Sequence, residues 1–212
     1  MPEISYQMMP FVLTVCLFSI LYSSLVILVQ VDLKKIIAYA SIIHMSMGVM
    51  GLFIYEHPAV EGGIYMMLTH GIISSALFIC VGFLYDRYKS RVIYYYGGLH
   101  RVMPIFSKFF FIFLLANMGL PFTAGFIAEL LLFVGISQVN FVATILMSIT
   151  IFLGAIYSIW LYNRVMFGNS SPYIKQYCDL NRREFLILLI LLVFTIIGGI
   201  YPEFFLSQIV IL

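Results

Sequence analysis

Gly119-Leu120-Pro121-Phe122-Thr123-Ala124-Gly125-Phe126-Ile127-Ala128-Glu129 sets a proline, two glycines and a single acid deep inside an apolar run. No charged residue occurs between Lys108 and Glu129, or between Glu129 and Arg164. An ionisable group in the lipid interior costs roughly 2.5–3.5 kcal/mol on the insertion scale, so it is usually kept for a function. Proline removes a backbone donor and clashes with the preceding turn. Broken backbone at membrane depth survives only inside protein or beside a water-filled cavity. A broken helix followed by a lone acid therefore reads as part of an ion path. A short polar loop, with Glu129 at a helix N-terminus near the headgroups, reads equally well from this stretch alone.

The flanking sequence settles the class. Of 212 residues, 63% are hydrophobic and 9% charged, against about 25% charged in a soluble domain. The mean hydropathy is +1.09. The chain is an all-α integral membrane protein. Its net charge of +2 and the lack of a basic patch interleaved with aromatics argue against nucleic acid as a partner and leave membrane lipids as the surroundings. Cys16, Cys80 and Cys178 match no metal or disulfide spacing and read as free packing cysteines. The start, Met1-Pro2-Glu3-Ile4, has neither a basic n-region nor an Arg-rich amphipathic stretch, so the first apolar segment is expected to insert directly.

A helix needs about 20 apolar residues to cross a bilayer. Seven segments are candidates: 8–30, 35–55, 62–84, 104–119, 122–138, 141–167 and 184–206. The fourth and fifth are short and flank Gly119 and Pro121, so this region is expected to be a discontinuous helix or a hairpin. Seven crossings would put the termini on opposite sides. No linker divides the chain, and residues 1–212 are expected to form one transmembrane bundle. Gly71 and Ser75 are small enough to permit close helix packing. His57, before Pro58, reads as a solvated loop residue, and segment seven as packing only.

Four ionisable groups lie in or at the ends of these segments: Lys34, His44, His70 and Glu129. Histidine exchanges protons near neutral pH unaided. Burial disfavours the charged form of any acid or base, which brings lysines and carboxylic acids closer to neutrality. Ser41, Ser74, Thr69, Asn117 and Thr123 are placed to hold water between them. Each has a blander account as well: Lys34 as an interfacial loop charge, the histidines as satisfied helix-gluing groups. Four together favour transport. The sequence offers no phosphate-binding glycine loop, no convincing nucleophile triad and no metal cluster.

Gln30-Val31-Asp32-Leu33-Lys34-Lys35-Ile36-Ile37-Ala38-Tyr39-Ala40-Ser41-Ile42-Ile43-His44-Met45 resembles a signature of the antiporter-like membrane-arm subunits of respiratory complex I. His70-Gly71-Ile72-Ile73-Ser74-Ser75-Ala76-Leu77-Phe78, Leu84-Tyr85-Asp86-Arg87, Gly97-Gly98-Leu99 and Ala116-Asn117-Met118-Gly119-Leu120-Pro121, leading to Glu129, extend the resemblance in order and spacing from about residue 10 to 168. His44-Met45 and the acid at Glu129 are most similar to the subunit 4 branch, whose relatives in the other branches carry lysine at the last position. Ala128 stands where the family usually has glycine.

The resemblance implies a proton-translocating piece of an NADH:ubiquinone oxidoreductase in the mitochondrial inner membrane, or in a bacterial plasma membrane. Lys34, His44 and His70 would lie on the hydrophilic axis of the membrane arm, and Glu129 on a discontinuous helix at the distal end of the path. NAD, FMN, iron–sulfur clusters and ubiquinone would sit on other subunits, with no cofactor on this chain. The similarity covers only the second half of a subunit, with 35–167 as its second inverted repeat. The expected partners are a separate N-terminal half, as in a split subunit, and other antiporter-like and accessory subunits. A multi-subunit cation/proton antiporter or membrane-bound hydrogenase shares these motifs and is the alternative. A seven-helix receptor would leave Glu129 unexplained. For orientation, the charges after segments one and three weakly favour that side facing the matrix, with Arg164, Lys175, Arg182 and Arg183 opposite, whereas family topology suggests the reverse, with the C-terminus outside.

Overall fold

The computed structural model describes residues 2–169 and 178–209, so Lys175 lies outside the described residues. All seven apolar segments form helices. In chain order the elements are α1 (Pro2–Val29), α2 (Leu33–Ile54), α3 (His57–Tyr88), a 3-10 turn at Ile93–Tyr95, α4 (Leu99–Val102), α5 (Pro104–Asn117), α6 (Ala124–Val139), α7 (Phe141–Met166), α8 (Arg182–Ile200) and α9 (Glu203–Ile209). Five of these, α1, α2, α3, α7 and α8, are long and apolar enough to span a membrane, while α5 and α6 are shorter.

The ends of the helices follow local chemistry. Pro58 and Pro104 stand in the first turns of α3 and α5, where a missing N–H costs nothing. Tyr55 and Lys89 close α2 and α3 in the left-handed region, at φ 61° and 54°. Asn140 caps α7 by accepting from the N–H groups of Val142 and Ala143. Asn181 and Glu184 form a capping box on α8.

Helix α3 is the mast of the bundle, about 48 Å long at 1.5 Å per residue over its 32 residues. Its first turns pack on α2 and on the far end of α6 through small residues. A Cβ on Gly62 would lie 2.7 Å from the Leu132 nitrogen, one on Gly135 2.5 Å from the Ala59 nitrogen, and one on Gly63 2.7 Å from the Gly48 carbonyl. Backbones this close are the usual means of helix association in lipid. Gly71 is not among them: a Cβ there would meet nothing within 4 Å, and the contact expected at that glycine is made instead at Gly48, Gly51, Gly62 and Gly135.

The short helices do not form a hairpin. Helix α5 starts beside the C-terminal end of α3, where the Tyr88 hydroxyl reaches the Met103 sulfur at 3.7 Å. Helix α6 ends beside the N-terminal end of α3, at Ala59 and Gly62. The two meet only around the break, where a Cβ on Gly125 would lie 2.8 Å from the Ala116 carbonyl. They run end to end, antiparallel to α3, as one interrupted helix of about 21 Å and 24 Å pieces from 14 and 16 residues. Seven apolar helices therefore make six crossings, and α1 starts at the end towards which α8 runs.

This count also moves the charges. The α1–α2 link pairs with the segment after α3 through an isolated antiparallel bridge between Asp32 and Val92, with the Leu33 N–H bonded to the Arg91 carbonyl at 2.9 Å and the Ile93 N–H to the Val31 carbonyl at 3.0 Å. Arg87 pairs with Glu184, Arg164 stacks on Tyr94, and the Gly98 N–H bonds to the Phe167 carbonyl. Arg164, Arg182 and Arg183 thus stand at the same end as Lys34, Lys35, Arg87, Lys89, Arg91 and Arg101, not opposite them. With Lys108 one turn into α5, every lysine and arginine among the described residues belongs to this basic end. The other end carries Glu56, His57 and Glu61, with His57 exposed and 3.4 Å from Glu61.

Candidate functional site

The break between α5 and α6 falls halfway down α3, beside Ile73. The chain leaves α5 through Gly119 at φ +73° and re-enters α6 after Phe122 at φ +75°. A positive φ is ordinary for glycine and strained for a bulky side chain. Phe122 points outward, 76% exposed. The Leu120 N–H bonds back to the Leu115 carbonyl, and Thr123 donates its hydroxyl to the Leu120 carbonyl at 2.7 Å. Thr123 so serves the turn itself.

Three of the four expected residues converge here. Glu129, on the second turn of α6, is buried, and so are His44 in the middle of α2 and His70 in the middle of α3. His44 Nδ1 is 3.7 Å from Glu129 Oε1. The two imidazoles are stacked with centroids 5.2 Å apart and planes at 29°. The carboxylate lies against Gly119, where a Cβ would overlap Glu129 Oε2 and sit 3.0 Å from Cδ.

Two small cavities, each of about 10 Å³, flank this group, on the order of the room one water needs. One lies among His44, Asn117, Glu129, Thr150 and Tyr157. The other lies among His44, Thr69, His70, Asn117 and Glu129. Asn117, at the end of α5, donates from Nδ2 to the Tyr157 hydroxyl at 2.8 Å. Of the residues expected to hold water, Asn117 and Thr69 line these cavities. Ser41 turns its hydroxyl back to the Ile37 carbonyl. Tyr157 and Thr150 of α7 join Asn117 in lining the first cavity, and the polar pair Tyr157-Ser158 in the apolar run of α7 is the sequence signal that marks this helix.

Lys34 stands apart. It is exposed in the first turn of α2 at the basic end, ten residues and roughly 15 Å of helix from His44. No group of three or more histidine, cysteine or acidic side chains among the described residues is arranged to hold a metal. Cys16 and Cys80 are buried and free, and Cys178 is exposed and free.

Residues 1–154 match the family model described as NADH:quinone oxidoreductase/Mrp antiporter, transmembrane. The chain is 51% identical over 207 residues to NADH-ubiquinone oxidoreductase chain 4 of Marchantia polymorpha, which covers 97% of this chain and 42% of that protein. It is 47% identical over 209 residues to the protein of the same name from Chondrus crispus, covering 98% and 42%. It thus spans less than half the length of these curated relatives. Among solved structures it is similar to a chain of respiratory complex I from Thermus thermophilus, with TM-score 0.90, 26% identity and 96% and 43% of the two chains covered. The same fold occurs in the Mrp complex from a Dietzia species, with TM-score 0.81, 18% identity and 93% and 45% covered. A bundle of six crossings, a broken helix at mid-depth and a match over most of its length place the chain in one family: it belongs to the NADH:quinone oxidoreductase/Mrp antiporter family of transmembrane subunits.

Proposed function

We propose that this chain forms part of the proton-translocating membrane arm of an NADH:ubiquinone oxidoreductase in the mitochondrial inner membrane. The observation that carries the reading is the buried triad of His44, His70 and Glu129 around two water-sized cavities at a helix break. NAD, FMN, iron–sulfur and ubiquinone chemistry belong to other subunits in this reading, and this chain moves protons only.

The geometry supports a switch. At 3.7 Å, His44 Nδ1 and Glu129 Oε1 exchange a proton after a small side-chain shift or through one water. Two protonated rings at 5.2 Å repel by about 3 kcal/mol at an effective dielectric near 20, so the stacked pair carries one proton at a time. A proton added at His70 therefore drives one from His44 towards Glu129. Lys34 belongs to the same path as a charge that biases the pair from the basic end. Its exposed position suits a partner surface, supplied by the remaining half of the subunit as a separate chain, beside other antiporter-like and accessory subunits.

A membrane-bound antiporter subunit is the second reading, favoured by the family match and by the fold shared with the Mrp complex. Sealed inner-membrane vesicles test the first. With Glu129→Gln, NADH-driven proton translocation per assembled complex should fall several-fold. Full translocation would overturn the assignment, and a proton flux driven by a cation gradient in place of NADH would favour the antiporter.

A further inference from the structure

The triad is enclosed, and protons must reach it from an aqueous surface. A row of side chains outside the expected site leads from the triad to the basic end. His100, exposed on α4, has Nδ1 3.0 Å from the Ser107 hydroxyl. Ser107, fully buried on α5, is 2.9 Å from the Tyr162 hydroxyl. One turn along α7 from Tyr162, Ser158 is 1% exposed, and its Oγ makes no hydrogen bond of normal geometry among the described residues, though it lies near enough to the Tyr157 hydroxyl to interact with it. Tyr162 and Ser158 line one further pocket of about 10 Å³, bounded by Leu114 and Met118 and, on its outer side, by the exposed side chains of Phe111 and Ile159. Met118 also borders the cavity of His44, Tyr157 and Glu129.

A buried hydroxyl without a partner is costly, on the order of 1–3 kcal/mol, and such groups are normally satisfied by protein or water. Ser158 lines a space of the size one water needs, together with Tyr162 and apolar side chains. We infer that His100, Ser107, Tyr162, Ser158 and Tyr157 form a hydroxyl-and-water relay joining the basic-end surface to the His44–Glu129 cavity. The inference rests on the proton-translocating reading above.

The chemistry balances without a redox step. Serine and tyrosine hydroxyls each accept one hydrogen bond while donating another. A proton entering at His100 is passed on as each hydroxyl gives its own proton forward and takes one from behind. Tyr157 accepts from Asn117 Nδ2, which leaves its own proton free to point into the cavity with Glu129. Asn117 orients this last hydroxyl and carries no proton itself. The gap at Ser158 is bridged by water, so the relay conducts when that cavity is wet.

The test uses the assembled complex in sealed vesicles, with proton translocation and NADH oxidation measured per assembled complex. Ser158→Ala and Tyr162→Phe each remove one hydroxyl and little volume, and Ser107→Ala breaks the row one link nearer the surface. Phe152→Leu, an equal loss of volume on the exposed face of α7 outside that cavity, is the control. Each hydroxyl variant should translocate protons several-fold more slowly, and Phe152→Leu should match the unaltered protein. Full translocation in the hydroxyl variants, or an equal loss in the control, overturns the relay. Glu129→Gln is run alongside: if it alone slows translocation, the relay fails and the wider reading stands, and if it too is silent, the wider reading fails.

Discussion

The carboxylate of Glu129 rests on the α-carbon of Gly119, ten residues earlier across the helix break. Two constraints meet at that glycine. Its φ of +73° belongs to the left-handed region, where a side chain costs on the order of 1–3 kcal/mol when it is forced to stay. A Cβ would also overlap the carboxylate. Gly119→Ala should therefore displace Glu129 and loosen the α5–α6 junction. The expected result is a several-fold loss of proton translocation together with reduced assembly on native gels. Retention of both would show that the break tolerates a shift of the acid.

The histidines should differ in weight. His44 is in reach of Glu129 and lines both central cavities, whereas His70 lines one and touches the acid only through His44. His44→Gln should slow translocation at least as much as Glu129→Gln, and His70→Gln less. Combining His44→Gln with Glu129→Gln should add little, because groups acting as one unit are not additive. A fully additive pair, read as translocation per assembled complex, would mean that they serve separate paths.

Much of this arrangement is legible in the sequence. The seven apolar runs, the break at Gly119–Pro121 and the isolation of Glu129 all follow from hydropathy and proline. Hydropathy gives the length of a run but not its direction. It therefore left open whether α5 and α6 fold back or continue, and the sidedness of Arg164, Arg182 and Arg183 hung on that choice. Helical spacing likewise shows which residues share a face, not what faces them. Gly71 and Gly62 look alike in sequence, yet only Gly62 meets another backbone. Tyr157 and Ser158 gain their meaning from Asn117 and Tyr162, partners fixed only by the packing of α5 on α7.

The basic end is clamped by the ion pair of Arg87 and Glu184. Arg87 on α3 donates to Glu184 on α8 at 2.5 Å, and also to the carbonyls of Phe83, Cys178 and Asp179. Asp179 in turn accepts from the N–H groups of Ile105 and Phe106 at the start of α5. With both partners largely buried, removal of one leaves a charge uncompensated, at a cost of about 3–5 kcal/mol for a fully buried pair and less here. Arg87→Ala or Glu184→Ala should lower the melting temperature of the assembled complex by several degrees, and the double variant should lose less than the sum of the two, since Arg87 also holds three carbonyls and Glu184 also caps α8. Additive losses would show that the two side chains act independently.

Orientation is the last consequence of the six crossings. Basic residues near span ends are retained on the matrix or cytoplasmic side. All described lysines and arginines gather at one end, and Glu56 and Glu61 mark the other. The basic end should face the matrix, and α8, which starts there, should run outward. With Arg164, Arg182 and Arg183 at the basic end, the charge rule points to the same outward C-terminal helix that the resemblance implies. Cys178 is exposed at the basic end and serves as a natural probe, and Glu56→Cys supplies one at the other. A membrane-impermeant maleimide should label Cys178 in inside-out particles and Glu56→Cys in mitoplasts. The reverse pattern would invert the direction in which the His100 relay delivers protons.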